Sequence, residues 1–163
     1  MTLVEGSIRI TLPANCRGAR FDGDGHRLTH CMKAVDFIID TPSARIFLEI
    51  KDPDAAGDNQ ISAAYAEKLE SGSLDRELCY KYRDSWLYFF GLGRVTRPSY
   101  FFVLLGLDSI SVESISGRSL NLGRKVSLHG PSGPWPSPFV DQCFVFNIDT
   151  WNRSFPELRA ERV

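Results

Sequence analysis

The sequence lacks an excess of either charge, and this limits the partners that it suggests. Among its 163 residues, 19 lysines and arginines stand against 20 aspartates and glutamates, so the formal net charge is −1. Proteins that bind nucleic acids usually present a basic surface to the phosphate backbone, and this composition does not indicate one. A neutral total still permits a local basic groove, and a metal site needs acidic residues in any case.

Paired cysteines and long apolar runs are also missing. The four cysteines form no C-x-x-C pair and are widely spaced, at Cys16, Cys31, Cys79 and Cys143. This spacing favours reduced, mostly buried thiols over disulfides. No stretch reaches the ~20 apolar residues of a membrane span, and the first residues contain no basic segment followed by an apolar run. We therefore expect a soluble protein of the cytoplasm.

Several motifs of nucleotide-binding proteins and hydrolases do not occur. No glycine-rich segment matches a P-loop or a dinucleotide fingerprint, and there is no G-x-S-x-G. His26, His30 and Cys31 lie close together in the sequence, but structural zinc requires four ligands and no fourth one is nearby. We therefore do not predict a zinc site there.

Length and composition favour one globular domain. With 43% hydrophobic and 24% charged residues, the chain lies in the normal globular range. A chain of this size buries about two-thirds of its unfolded surface and needs no cross-link to fold. We predict a single domain over residues 1–163, with its core at about 33–107 and a C-terminal strand and short helix at 140–155.

The pattern of apolar residues predicts an α/β fold, a mixed β-sheet with flanking helices. Strands are predicted at Ser7–Leu12, Lys33–Asp40, Ala44–Lys51, Tyr100–Leu107 and Cys143–Ile148. Helices are predicted at Gln60–Glu70, at Asp75–Phe90 and in the later part of 108–128. Residues 14–30 are polar and glycine-rich, which favours a loop or an irregular hairpin, and no clear helix precedes Lys33.

The strongest β signal is a hairpin formed by KAVDFIID and ARIFLEIK around a turn at Pro42. Side chains alternate along a strand, so Glu49 and Lys51 share one face. Asp36 precedes the turn by as many residues as Glu49 follows it, which predicts that their Cβ atoms lie about 4.5–5.5 Å apart. Two carboxylates this close repel each other unless a cation lies between them.

These residues suit metal-assisted hydrolysis. Carboxylate oxygens are the ligands that Mg²⁺ and Mn²⁺ prefer. A lysine two residues beyond the glutamate can orient or deprotonate a water, or neutralise charge on a phosphate. Asp36, Glu49 and Lys51 are therefore candidate catalytic residues for phosphodiester hydrolysis. On spacing alone, an ordinary Glu–Lys pair on a solvated strand face explains the pattern equally well.

Asp36 followed by Glu49-Ile50-Lys51, on a hairpin that leads into helices and a buried strand, resembles the PD-(D/E)XK nuclease superfamily. The resemblance covers about residues 33–107. It implies a restriction-endonuclease-like αβββαβ core, here lacking a clear first helix. It also implies that Asp36, Glu49 and the Ile50 carbonyl bind the metal and that Lys51 works on the water.

The resemblance implies a nuclease that depends on Mg²⁺ or Mn²⁺ and acts on DNA in preference to RNA. Enzymes of this type often act as homodimers, and a partner protein is the other source of specificity. The helix after the hairpin often supplies a cation to such a site, so we predict Lys81 and Arg83, with Lys33, as nucleic-acid-binding residues. A solvated helix face is the competing interpretation.

Two departures from the superfamily pattern keep other functions open. Val35 stands where the motif has proline, and the acidic residue that many members carry on a preceding helix has only Glu5 as a weak candidate. The alternative is a catalytically inactive nuclease-fold subunit for binding or assembly in a multi-protein system. KAVDFIID and EIKDPD are also similar to uncharacterised bacterial proteins, some of them linked to defence loci. A third hypothesis is an immunity or regulatory protein that binds another protein through its aromatic surface, where the loop of Trp135 would serve either this purpose or as a cover for the sheet edge.

Overall fold

The computed structural model describes residues 1–23, 32–107, 110–126 and 138–163. Within these ranges the chain is an α/β protein with two β-sheets and four α-helices, and none of these helices is long and apolar enough to cross a membrane. His26, His30, Cys31 and Trp135 lie outside the described residues.

The elements alternate between strands and helices after a β-rich beginning. The strands are β1 (Thr2–Glu5), β2 (Ile8–Thr11), β3 (Arg17–Arg20), β4 (Phe37–Asp40), β5 (Arg45–Lys51), β6 (Ser99–Leu105), β7 (Gln142–Asn147) and β8 (Ala160–Arg162). The helices are α1 (Asn59–Glu70), α2 (Asp75–Gly91), α3 (Val112–Val126) and α4 (Ile148–Ser154). A 3-10 turn at Pro53–Ala56 links β5 to α1.

The larger sheet is mixed, as the sequence predicted. Its strand order is β3-β4-β5-β6-β7; the first three strands are antiparallel, and β5, β6 and β7 run parallel. β6 has the sequence SYFFVLL and lies between two other strands, which explains its continuous apolar character, since a central parallel strand is covered on both faces. The smaller sheet is antiparallel and has the order β1-β2-β8.

Two hydrophobic cores lie on opposite faces of the larger sheet. On the first face, which we call the helix face, Leu69 of α1, Tyr82 of α2 and Leu122 of α3 pack against alternate residues of β4, β5, β6 and β7. On the second face, the smaller sheet and α4 cover the remaining strand residues, with Trp151 fully buried among phenylalanines. The indole of Trp151 meets the ring of Phe146 edge to face, with 5.5 Å between the centroids.

The structure adds three short strands that the sequence did not predict. β1 and β8 were not expected, and β3 lies inside the segment expected to be a loop or an irregular hairpin. β4 begins at Phe37 rather than at the predicted Lys33. Strands of three or four residues contain too few alternations to stand out in a sequence, and their stability comes from partners distant in the chain, as in the pairing of Ile8 with Arg162.

Polar anchors hold the elements around the end of β5. Asp52, directly after β5, accepts hydrogen bonds from the Ser7 N–H at 2.7 Å and from the Arg162 guanidinium at 3.0 Å, which fixes the smaller sheet to this end of the larger one. At the sheet edge, the Ser119 hydroxyl of α3 accepts a hydrogen bond from the Val145 N–H at 2.8 Å. This contact satisfies an outward-facing backbone group of β7 and so protects the edge strand.

An ion triad centred on the buried Asp75 joins α2 to α3. Asp75, at the first residue of α2, is only 1% exposed and contacts the guanidinium of the buried Arg118 and the Lys125 ammonium, the latter at 2.6 Å. The Asp75→Asn substitution would leave Arg118 buried without its counter-charge, so we expect the free energy of unfolding to fall by about 3 kcal/mol in urea denaturation. Glu157→Gln, at an exposed turn, serves as the control and should change it by less than about 0.5 kcal/mol. Equal stability of the two variants would contradict a structural role for the triad.

Candidate functional site

The register of the β4–β5 hairpin brings the two predicted carboxylates together. The ladder pairs Phe37 with Leu48, so the next pair in the same register is Asp36 and Glu49, as the sequence predicted. Asp36 lies one residue before β4, and its Oδ2 accepts a hydrogen bond from the backbone N–H of Ile50 at 2.7 Å. The side-chain carboxylate of Asp36 thus accepts a hydrogen bond from the backbone of β5 just before the first residue of β4.

Both carboxylates point to the helix face and are removed from solvent. Asp36 is 4% exposed and Glu49 is 0% exposed. The neighbouring side chains on that face, Ile38 and Phe47, belong to the core under α2. The predicted alternation of side chains along β5 is therefore confirmed, since Leu48 and Ile50 face the opposite core.

Two lysines neutralise this buried pair. The Lys81 Nζ of α2 lies 2.6 Å from Glu49 Oε1 and 3.3 Å from Asp36 Oδ1, so one ammonium serves both carboxylates. The Lys51 Nζ lies 2.8 Å from the same Glu49 oxygen and 3.9 Å from Glu77 Oε1. Lys51 is the more exposed of the two lysines, with a quarter of its side chain accessible.

Burial controls the protonation of this site. The pKa of Glu49 rises from 4.5 to about 7, because burial and then the charge of Asp36 outweigh the attraction of Lys81 and Lys51. The pKa of Asp36 also rises through burial, and Lys81 and the Ile50 N–H partly offset the effect. For Lys81, burial opposes the charge, but Glu49 and Asp36 together raise its pKa. The ammonium therefore stays charged while Glu49 titrates near neutral pH.

The oxygen atoms of the site fit a single hard cation. Glu49 Oε2 is buried and accepts no hydrogen bond from any residue in the described ranges. The N–H and C=O of one residue in a strand point to the same edge, so the Ile50 carbonyl is directed to the side on which its N–H meets Asp36. Two carboxylates with one carbonyl suit Mg²⁺ or Mn²⁺, which need few protein ligands.

Glu5, the weak candidate for a further acidic ligand, does not lie with Asp36 and Glu49. Among the described residues, no group of three or more His, Cys, Asp or Glu side chains is arranged to hold a metal ion. Glu5 instead pairs with Arg20 at 2.5 Å, at the end of β1 in the smaller sheet.

Of the three predicted nucleic-acid-binding residues, the structure brings only Lys81 to the carboxylates. Lys33 is exposed, and its backbone N–H donates to Asp84 Oδ2 at 2.9 Å. The exposed Arg83 pairs with the same Asp84 and lies over the Tyr80 ring, 4.6 Å from its centroid. Lys33 and Arg83 thus lie together at the surface beside Asp84, apart from the buried pair.

Sequence reasoning missed two residues of the site, Tyr65 of α1 and Glu77 of α2. The Tyr65 hydroxyl is buried and has no hydrogen-bond partner in the part of the chain that the structure describes. Burial raises its pKa, and the charges of Glu49, Glu77 and Asp36 add to the effect. Nothing in the spacing of α1 indicates this position, because the approach of a helix to a hairpin depends on tertiary packing.

Comparison of the chain with known protein families, with curated proteins and with solved structures finds no match. The basis for inferring a function is therefore the arrangement of the chain's own side chains. Its central feature is a pair of buried carboxylates, Asp36 and Glu49, with two ammonium groups on one oxygen of Glu49 and none of the described residues on the other.

The raised pKa of Glu49 predicts a pH-dependent cost to stability. Between pH 4.5 and about 7 the folded protein holds a proton on Glu49 that the unfolded chain has released, so stability contributed by this group is lost as the pH rises through that window. The slope is about 1.4 kcal/mol per pH unit. Because Glu49→Gln cannot titrate, the stability of the wild type relative to this variant should fall from pH 4.5 to 7 in urea denaturation. A pH-independent difference in stability between the wild type and Glu49→Gln would contradict the assignment.

Proposed function

We propose that the protein is a nuclease that depends on Mg²⁺ or Mn²⁺ and hydrolyses phosphodiester bonds, in DNA in preference to RNA. One observation carries the proposal. Asp36 and Glu49 lie buried side by side at the end of a hairpin, and a lysine on the same strand face, Lys51, contacts Glu49 at 2.8 Å. Nearly inaccessible paired carboxylates are costly in a purely structural role, which favours a site that receives a cation.

The fold supports the proposal at the level of topology. Three antiparallel strands, β3, β4 and β5, are followed by helices and then by β6 parallel to β5. This order agrees with a restriction-endonuclease-like αβββαβ core without its first helix. In place of that helix the chain has β1 and β2 of the smaller sheet.

The residues divide into ion ligands and groups that act on the phosphate and water. Asp36, Glu49 and the Ile50 carbonyl would hold the ion, which when bound polarises a phosphoryl oxygen and lowers the pKa of a bound water. Lys51, the more exposed of the two lysines, would orient the attacking water or stabilise charge on the phosphate. When the charges of the carboxylates are balanced by an ion, the Lys81 ammonium becomes available to a phosphate oxygen.

Binding of the polymer falls to exposed cations outside the buried pair. Lys33 and Arg83 lie beside Asp84 at the surface and are the candidates for backbone phosphates. Because the net charge is −1, we include a homodimer or a protein partner in the proposal as the source of further affinity and specificity.

The position of Lys81 favours a second candidate function, an inactive subunit that keeps the nuclease fold for binding or assembly. Its ammonium contacts both Asp36 and Glu49, as a metal ion would, so the protein's own side chain satisfies the charge requirement. In that case Asp36, Glu49 and Lys81 form a structural ion cluster that links α2 to the hairpin.

Cleavage of supercoiled, linear and single-stranded DNA in Mg²⁺ or Mn²⁺ tests the catalytic assignment. We expect metal-dependent cutting by the wild type and a loss of about 100-fold or more in Glu49→Ala and in Lys51→Ala, because each removes a group that acts on the ion or the water. Lys68→Ala, on the exposed surface of α1, is the matched control and should cut like the wild type. No cutting by the wild type, or cutting that survives both substitutions, would contradict the proposal.

Isothermal titration with Mn²⁺ distinguishes the two functions through Lys81→Met. Removal of the competing ammonium should raise the affinity for Mn²⁺ by about tenfold or more, because an opposite charge within contact distance stabilises the carboxylates by that order. In the enzyme, the wild type itself binds Mn²⁺; in an inactive subunit, only the variant does. Lys68→Met controls for the general loss of a positive charge, and equal affinity of Lys81→Met and wild type would show that Lys81 and the ion do not compete.

A further inference from the structure

The carboxylate site contains two buried polar atoms that no described residue satisfies. They are Glu49 Oε2 of β5 and the Tyr65 hydroxyl of α1. Among the charges that act on the hydroxyl, that of Glu49 is the strongest, followed by Glu77 and Asp36. Tyr65 also packs against the core of the helix face. The ring is therefore held by apolar contacts, and its buried hydroxyl lies close enough to the carboxylates for their charges to act on it.

The two atoms are chemically complementary. A tyrosine hydroxyl can donate and accept, whereas an ionised carboxylate only accepts and has two lone pairs on each oxygen. A buried hydroxyl without any partner destabilises the folded protein relative to phenylalanine, because the loss of its hydration is not compensated. Buried waters typically satisfy such groups, each making about three hydrogen bonds. A water that accepts from Tyr65 and donates to Glu49 Oε2 would meet both requirements.

We propose that Tyr65 and Glu49 hold a water molecule between them, and that this is the water consumed in hydrolysis. The catalytic half of this statement rests on the proposed nuclease function, whereas the water site itself does not. Lys51 and Lys81 both contact the other oxygen of Glu49, so two ammonium groups lie on the carboxylate that would hold this water. Because each oxygen of Glu49 has two lone pairs, Oε2 can accept from the water and still contribute to ion binding.

Tyr65→Phe tests the proposal, because it removes the hydroxyl and keeps the ring in the core. Tyr100→Phe is the matched control, since Tyr100 lies on β6 and packs on the opposite core. We expect Tyr65→Phe to lower kcat by about tenfold or more with KM for DNA unchanged, because a mispositioned water affects the chemical step and not substrate binding. Tyr100→Phe should leave both constants at the wild-type values. A Tyr65→Phe enzyme with wild-type kcat would overturn the catalytic role while the nuclease function stands.

Two further measurements do not depend on activity. A high-resolution crystal structure of the full chain, with and without Mn²⁺, should show a water within hydrogen-bond distance of Tyr65 Oη and Glu49 Oε2. Thermal unfolding should give a lower Tm for Tyr65→Phe, because the water loses a partner. A direct Tyr65–Glu49 hydrogen bond, or a higher Tm for the variant, would overturn the water site. If the wild type cuts no DNA, the proposed function fails, and these two results alone decide whether the water site exists.

Discussion

The burial of Glu49 is the constraint on which the organisation of the site depends. Its side chain has no solvent exposure and lies beside a second buried carboxylate, Asp36, an arrangement that raises its pKa to about 7. The chain compensates with Lys51 from the same strand and Lys81 from α2. The contact between α2 and the hairpin is thus partly ionic, and the charge state of the site acts directly on the packing of a helix against the sheet. Regulation of the site by pH or by ion binding would therefore be felt in the helix layer.

The two faces of the larger sheet serve different purposes. The face under the smaller sheet and α4 carries an apolar and aromatic core that contains Trp151. Asp52, directly after β5, fixes the smaller sheet to this end of the larger one. The helix face combines a similar apolar core with the carboxylates. Because Glu49 lies on β5, which is paired on both sides, the strand that carries it is held rigidly, as a site that orients an ion or a water requires. The core on one face thus supports the strand that carries the buried carboxylates on the other face.

Much of this arrangement could be predicted because the hairpin is local. The alternation in ARIFLEIK assigns Glu49 to one face, and the turn at Pro42 sets the register with Asp36. The apolar run of β6 is equally legible, since a strand covered on both faces needs no alternation. Short strands such as β8 could not be predicted, because three residues carry no periodic signal and are stabilised by β2, far away in the sequence.

The sequence by itself determined the mixed α/β architecture, the hairpin and the placement of Asp36, Glu49 and Lys51 on one face of that hairpin. All of these follow from side-chain periodicity and a single turn. Only the tertiary structure decided which helix residues meet the carboxylates. Lys81 reaches them and Arg83 does not, although both lie on α2 within a few residues of each other. The charges of the carboxylates also act on the buried hydroxyl of Tyr65 in α1, a helix that no pattern in the sequence links to the hairpin. The reason is physical, since packing against the sheet fixes the rotation of a helix about its own axis. A pattern of apolar residues specifies the buried face of the helix. It does not specify which polar side chains at the border of that face reach the sheet.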